Sequence, residues 1–175
     1  MIERVIIAGS GGQGIMLAGK VLAEAGLLEG KHVTWLPAYG PEVRGGAAHC
    51  MVIIADDEIG SPFIGRADSL IIMNQVSLDK FKNRVKAGGL MVVNSSLAKV
   101  DPGVKGKVIM KEFTDIAIGL GNIKVANMAA LGAYLAEREI VAAESILKVM
   151  QKMAPPDKPE LLKINNAAFR KGMGE

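Results

Sequence analysis

Cysteine occurs once in the 175 residues, at Cys50, and histidine twice, at His32 and His49. One thiol excludes an internal disulfide, and so small a set of ligands cannot supply a four-cysteine iron–sulfur site or the usual structural zinc site. Aromatic residues make up only 4% of the chain, and they form no series interleaved with basic residues of the kind that stacks on nucleic-acid bases. No apolar run approaches the roughly 18 residues that a membrane-spanning helix needs. Met1-Ile2-Glu3-Arg4 leads into a strand-like stretch and lacks the character of a signal peptide. The expectation is a cytoplasmic protein without membrane or nucleic-acid partners.

What the chain does contain suits one compact domain. Half of it is hydrophobic and 22% is charged, with 21 glycines and 10 methionines. That balance fits an aliphatic sheet-and-helix interior with tight turns better than an all-β sandwich. The net charge is +3, unevenly spread, because residues 77–111 alone carry +6 and leave the remainder slightly acidic. Such a stripe attracts phosphates or an acidic protein, and it is also what a solvated lysine-rich face looks like.

Hydropathy alternates between two periods. Glu3–Ala8 is a β-branched run ending at Gly9, as in a strand buried on both faces. Leu17, Val21, Ala25 and Leu28 then recur at helical spacing up to Gly30, and His32–Leu36 forms a second strand, completing a β–α–β unit. Further strands are expected at Cys50–Ala55, Ser69–Met73, Leu90–Asn94 and Lys107–Met110, with a helix at Ser77–Ala87 ended by Gly88-Gly89. After Glu112 the pattern is helical only: Thr114–Leu120, Val125–Glu137, Ala142–Met153 and Glu160–Lys171. The expected fold is α/β, a three-layer α/β/α arrangement. Its sheet is mostly parallel and Rossmann-like, with right-handed crossovers at the parallel steps and C-terminal helices.

Two glycine-rich turns stand out. Gly9-Ser10-Gly11-Gly12-Gln13-Gly14 satisfies G-x-G-x-x-G directly after a strand and before a helix. There, backbone N–H groups and the helix dipole can receive a phosphate or carboxylate. An acidic residue that would hold a dinucleotide ribose is missing, since the second strand ends in Trp35-Leu36-Pro37, and Ile15 after Gly14 rules out a P-loop. An anion site and a turn that binds nothing both fit.

The second turn, Tyr39-Gly40-Pro41-Glu42-Val43-Arg44-Gly45-Gly46, leaves the carboxyl end of the second strand. Arg44 offers a planar fork to a carboxylate or phosphate, Glu42 can orient it, and Gly45 and Gly46 permit close approach. Pairing of the two charges within an interface loop fits equally.

Other chemistry-bearing residues read as structural. Cys50 opens the apolar run Met51–Ile54 and behaves as a small buried hydrophobe, so a Cys50–His49 nucleophile is not expected. Asp56-Asp57-Glu58 reads as a solvated turn. Asn127 heads a helix, where capping is the default role and holding an anion beside the first glycine turn is the alternative. No residue is assigned as catalytic.

Taken in order, GSGGQG at Gly9–Gly14, YGPEVRGG at Tyr39–Gly46, NMAALG at Asn127–Gly132 and Asn166-Ala167-Ala168-Phe169 resemble the gamma subunit of 2-oxoacid:ferredoxin oxidoreductases over essentially the whole chain. YGPEVRGG and Asn74-Gln75 resemble the 2-oxoglutarate and branched-chain forms more than the pyruvate forms. The resemblance implies a single gamma-type domain over 1–175, belonging to an assembly that decarboxylates a 2-oxoacid oxidatively to an acyl-coenzyme A. Alpha and beta subunits would carry thiamine diphosphate with magnesium, and a ferredoxin-type subunit would carry iron–sulfur clusters.

Coenzyme A is the one ligand this chain is expected to contact, through Gly9, Gly11, Gly12, Gln13, Gly14, Tyr39, Glu42, Arg44, Gly45, Gly46 and Asn127, with the basic stripe of residues 77–111 as an alternative to Arg44 for its phosphates. The small subunit of indolepyruvate oxidoreductase and a purely structural interaction subunit stand as alternatives. Self-association of the isolated chain through helix faces carrying Met128 and Met150 is a further expectation.

Overall fold

A computed structural model describes residues 1–38, 48–101, 103, 104 and 106–175. The β-branched runs build strands β1 (Ile2–Gly9), β2 (His32–Ala38), β3 (Ala48–Ala55), β4 (Ala67–Ile72), β5 (Val85–Asn94) and β6 (Lys107–Lys111), joined in one sheet of order β2-β3-β1-β4-β5-β6. Strands β1, β4, β5 and β6 pair in parallel, which makes this part of the sheet parallel as expected. β3 runs antiparallel to both β1 and β2 and separates them. The first β–α–β unit therefore spans a strand, and β2 lies at the edge.

The helices are α1 (Ile15–Leu28), α2 (Gln75–Phe81), α3 (Phe113–Gly119), α4 (Ala126–Glu137), α5 (Ala143–Met153) and α6 (Pro159–Met173). Their distribution is lopsided. α1 and α3–α6 share one apolar core with Val5, Ile7, Val52, Ile54, Ile71 and Val92. On the opposite face, Ile6, Met51, Ile53, Leu70, Ile72 and Val93 share a core with Leu78 and Phe81 of short α2 and with Ile64 and Ala98 from loops. That third layer is thin.

Three details differ from the periodicity. α1 buries Ala18, Val21, Leu22 and Ala25, while Leu17 and Leu28 stay 44% and 56% exposed. Its glycines set the buried face: a Cβ at Gly26 would lie 2.9 Å from Val33 Cγ2, and one at Gly19 would strike Cys50 Sγ. The expected helix at Ser77–Ala87 stops at Phe81, passes through a 3-10 turn at Lys82–Arg84, and is already strand from Val85. Gly88, at φ +74°, lies inside β5 beside an irregularity in the β4–β5 register; it bends a strand and does not end a helix. Met128 and Met150, expected on faces awaiting a partner, are buried.

α4 and α6 approach closely because each presents a glycine to the other's backbone. A Cβ on Gly132 would run into the Phe169 carbonyl, and one on Gly172 into that of Ala129. Where α4 ends, Glu3 of β1 forms a buried polar group with Ser69 of β4 and Arg138: Ser69 Oγ donates to Glu3 Oε1 at 2.5 Å, and Arg138 Nε lies 3.7 Å from the same oxygen. Burial pushes the Glu3 carboxyl up, with the Ser69 hydrogen bond and Arg138 opposing. Among the described residues no helix is long and apolar enough to cross a membrane.

Candidate functional site

The carboxyl ends of β1, β4, β5 and β6 bring one group of backbone and amide side chains together. β1 ends at Gly9, where a Cβ would lie 2.6 Å from Gln13 Oε1 and 2.7 Å from Ile15 Cδ1. The chain turns through Gly12 at φ +88° and enters α1 through Gly14 at φ +69°, left-handed conformations that favour glycine. Gln13 braces the turn from within: its Oε1 accepts the Ser10 N–H at 2.7 Å, and its Nε2 donates to the Met73 carbonyl at 3.3 Å.

Neighbouring strands complete the brace. Asn94, fully buried at the end of β5, donates to the same Met73 carbonyl at 3.1 Å and to Thr114 Oγ1 at 2.8 Å. Asn74, after β4, donates to Ser10 Oγ, and its own Oδ1 caps α2 by accepting the Ser77 N–H at 2.9 Å. Asn127 reaches over from α4 and donates to the Gly14 carbonyl at 3.0 Å.

The start of α1 is left open by this arrangement. Gly14 provides no side-chain cap, and the first helical turn holds no acidic residue. Gly11 and Gly12 are exposed. Among the described residues the N–H of Gln13 is taken by the Ser10 carbonyl and that of Ala18 by the Gly14 carbonyl, while those of Gly11, Gly12 and Gly14 find no partner. Unpaired amides at the positive end of a 14-residue helix have the chemistry to donate to an anionic oxygen.

The sequence-derived candidates divide accordingly. Gly9, Gly11, Gly12, Gln13, Gly14 and Asn127 come together here. Asn127 is not the helix cap: α4 begins earlier, through a 3-10 turn at Ile123–Val125 whose first residue follows Asn122, and Asn122 Oδ1 accepts the Lys124 N–H at 3.0 Å. Its Nδ2 is spent on Gly14 because the two helices start side by side, while its Oδ1, from inside the first turn of α4, accepts the Met128 N–H at 2.8 Å. Tyr39, Glu42, Arg44, Gly45 and Gly46 lie outside the described residues. The flanking Ala48 pairs with Gly9, and Ala38 pairs with His49 next to it, so both flanks stand at the sheet end that carries the glycine turn.

Sequence reasoning missed Asn94 and Thr114 and saw Asn74 only as part of a resemblance; an asparagine at the end of a buried strand was the available signal. Cys50 is buried as expected, its thiol pushed up to about 12 by desolvation. The Asp56–Glu58 turn is anchored by Asp56, which accepts from the Met1 amino group at 2.6 Å and lies 3.4 Å from Lys31 Nζ.

A family profile described as pyruvate ferredoxin/flavodoxin oxidoreductase matches residues 4–175. The 2-oxoglutarate synthase subunit KorC of Methanocaldococcus jannaschii is 35% identical, with 98% of this chain aligned to 92% of that protein. Ketoisovalerate oxidoreductase subunit VorA of Methanothermobacter marburgensis is 41% identical over 76% of this chain, which spans only 28% of the VorA length. A crystal structure of a keto/oxoacid ferredoxin oxidoreductase gamma subunit from Geobacter sulfurreducens superposes with a TM-score of 0.86, at 32% identity over 98% of this chain and 96% of that one.

Proposed function

Because the chain belongs to the pyruvate ferredoxin/flavodoxin oxidoreductase family, we propose that it serves as the gamma subunit of a cytoplasmic, multi-subunit 2-oxoacid:ferredoxin oxidoreductase. In that assembly, whose 2-oxoacid is 2-oxoglutarate, it contributes to subunit association and holds coenzyme A. The near end-to-end correspondence with KorC supports the gamma assignment and the substrate. The open amides of the glycine turn support the ligand: a coenzyme A phosphate oxygen accepts from the N–H groups of Gly11, Gly12 and Gly14, and the α1 dipole adds to the attraction. Arg44, which lies in the sequence between Ala38 and Ala48, is the residue we assign to supply a guanidinium to the same ligand.

Other steps fall to partner chains. Iron–sulfur clusters do not fit this chain's residues, because a cluster needs several thiolate ligands and the one cysteine is buried with its thiol pushed up to about 12. Alpha, beta and ferredoxin-type subunits carry the clusters, thiamine diphosphate with magnesium, and the carbon–carbon bond cleavage. The glycine turn keeps an anionic end of coenzyme A fixed while its thiol reaches the partner's reaction centre. Gln13, Asn74 and Asn94 hold that turn rigid, so that little ordering cost falls on binding.

An omission assay tests the proposal. The co-expressed assembly, with and without this chain, is offered 2-oxoglutarate, pyruvate, 2-oxoisovalerate and indolepyruvate with coenzyme A and ferredoxin. The reading predicts fastest turnover on 2-oxoglutarate and loss of acyl-coenzyme A formation when the chain is left out. Equal turnover without it contradicts the reading.

A further inference from the structure

The basic stretch Ser77–Lys111 has a residue of charge that the glycine turn does not use. Several of its cations are neutralised: Lys82 lies 3.1 Å from Asp101 and 3.7 Å from Asp79, Lys86 pairs with Asp68, and Lys107 pairs with Glu137. Among the described residues no carboxylate pairs with Lys80, Arg84 or, just before β4, Arg66. The acidic Asp57 and Glu58 of the same β3–β4 loop are joined to none of them by an ion pair.

One of these uncompensated cations, Arg84, stands beside an exposed aromatic ring, while Arg66 follows that ring by three residues in the same loop and Lys80 adjoins Phe81. Phe63 is 63% exposed, the most exposed large apolar side chain among the described residues. Its position is built in, because the next residue, Ile64, is fully buried, and the Ile64 N–H meets Met51 Sδ at 3.2 Å. Arg84 clamps the loop by donating from Nε to the Gly65 carbonyl at 3.2 Å and from Nη2 to that of Ile64. The guanidinium carbon stands 5.7 Å from the Phe63 ring centre and 5.5 Å from that of Phe81, with Lys80 Nζ 5.6 Å from Phe81 on its own account. Carbonyl acceptors satisfy the hydrogen bonds of Arg84 without cancelling its charge.

Arginine and aromatic residues, presented rigidly and without counter-charges, are the make-up of a protein-binding hot spot. The surface lies on the thinly covered sheet face and away from the glycine turn: α2 begins beside that turn, at Asn74, and ends here, at Phe81. We propose that Phe63, Arg66, Lys80 and Arg84 form the docking surface for an acidic face of a partner subunit, one that presents carboxylates around an apolar side chain packed on Phe63. This rests on the gamma-subunit reading above and adds to it which side of the chain meets an acidic partner.

The test uses the co-expressed assembly and the variants Phe63→Ser, Arg66→Glu and Lys80→Glu, all at exposed side chains, with Arg84 left in place because it holds the loop. Dissociation of this chain is followed by native mass spectrometry and gel filtration from 50 to 500 mM NaCl. We expect each variant to weaken association roughly tenfold or more at low salt, the two charge reversals also to flatten the salt dependence, and thermal melts of the isolated chain to stay unchanged. Wild-type-like association of all three variants overturns the docking proposal and leaves the gamma reading intact. A wild-type chain that joins no partner defeats both. Unaltered assembly combined with weaker retention of the variants on heparin assigns the surface to phosphate or sulfate polymers, and overturns the proposal as well.

Discussion

Asn127 of α4 donates its side-chain N–H to the carbonyl of Gly14, 113 residues earlier, at 3.0 Å. A Cβ on Gly14 would strike that same amide, so the glycine and the asparagine are matched to each other. The bond fixes the entry to α1 from a second helix, which a short turn cannot do with its own residues alone.

Asn127→Ala is expected to lower stability by about 1–2 kcal/mol in urea unfolding, the usual cost of a lost hydrogen bond at a buried site. Gly14→Ala is expected to cost more, because it adds left-handed strain at φ +69° to the collision. Asn127→Asp removes the donor and places a negative charge beside the open amides, so it should weaken coenzyme A binding to the assembly more than Asn127→Ala does. Equal affinities for the two variants would count against an anion at this turn.

The Gly132–Gly172 contact predicts a strong response to small additions. Gly132→Ala and Gly172→Ala each push a methyl group against a facing backbone carbonyl, and overpacking of this kind costs roughly 1–3 kcal/mol or more. Urea midpoints should fall for both. The double variant should cost less than the sum of the two, since one displacement of α6 relieves both clashes.

Glu3 gives a pH dependence whose sign follows from its raised pKa. The folded chain holds that proton more tightly than the unfolded chain, so the contribution of Glu3 to stability is largest below the unfolded value near 4.5 and declines as pH rises through the folded value. Replacing it by glutamine should remove that decline. The stability of the wild type relative to Glu3→Gln should therefore increase on acidification between the two pKa values, as followed by urea unfolding across pH 4–8; a difference that falls on acidification would contradict the buried geometry.

The Cys50 thiol, pushed up to about 12 and fully buried, should resist iodoacetamide at pH 8 in the native chain. It should react at the rate of a free thiol once urea unfolds the protein. Rapid modification of the native chain would show that the site opens.

Much of the β/α order and the glycine turn could be read from the amino acids, because a β-branched run followed by G-x-G-x-x-G and a helical period constrains one local geometry. The direction of β3 was hidden, since Met51–Ile54 is equally apolar in a parallel or an antiparallel strand. The lack of any helical period between His32–Leu36 and Cys50–Ala55 was the sign of a reversal without a crossover. Helix boundaries failed where a glycine served a strand: Gly88 resembles a helix stop, yet bends β5. The site's braces were hidden for another reason. Asn94 matters only because it and Gln13 converge on the Met73 carbonyl, and Thr114 only because α3 brings it against Asn94, and that convergence is tertiary.

The claim that the glycine turn holds coenzyme A is tested most directly by isothermal titration of the assembled complex with coenzyme A, comparing wild type with Gly12→Val and Arg44→Ala. Gly12 has open space around it and a φ of +88°, so valine there disturbs the turn's backbone without displacing the core. The account predicts affinity at least tenfold weaker in both variants, with assembly intact. Coenzyme A binding of unchanged strength in both would contradict it.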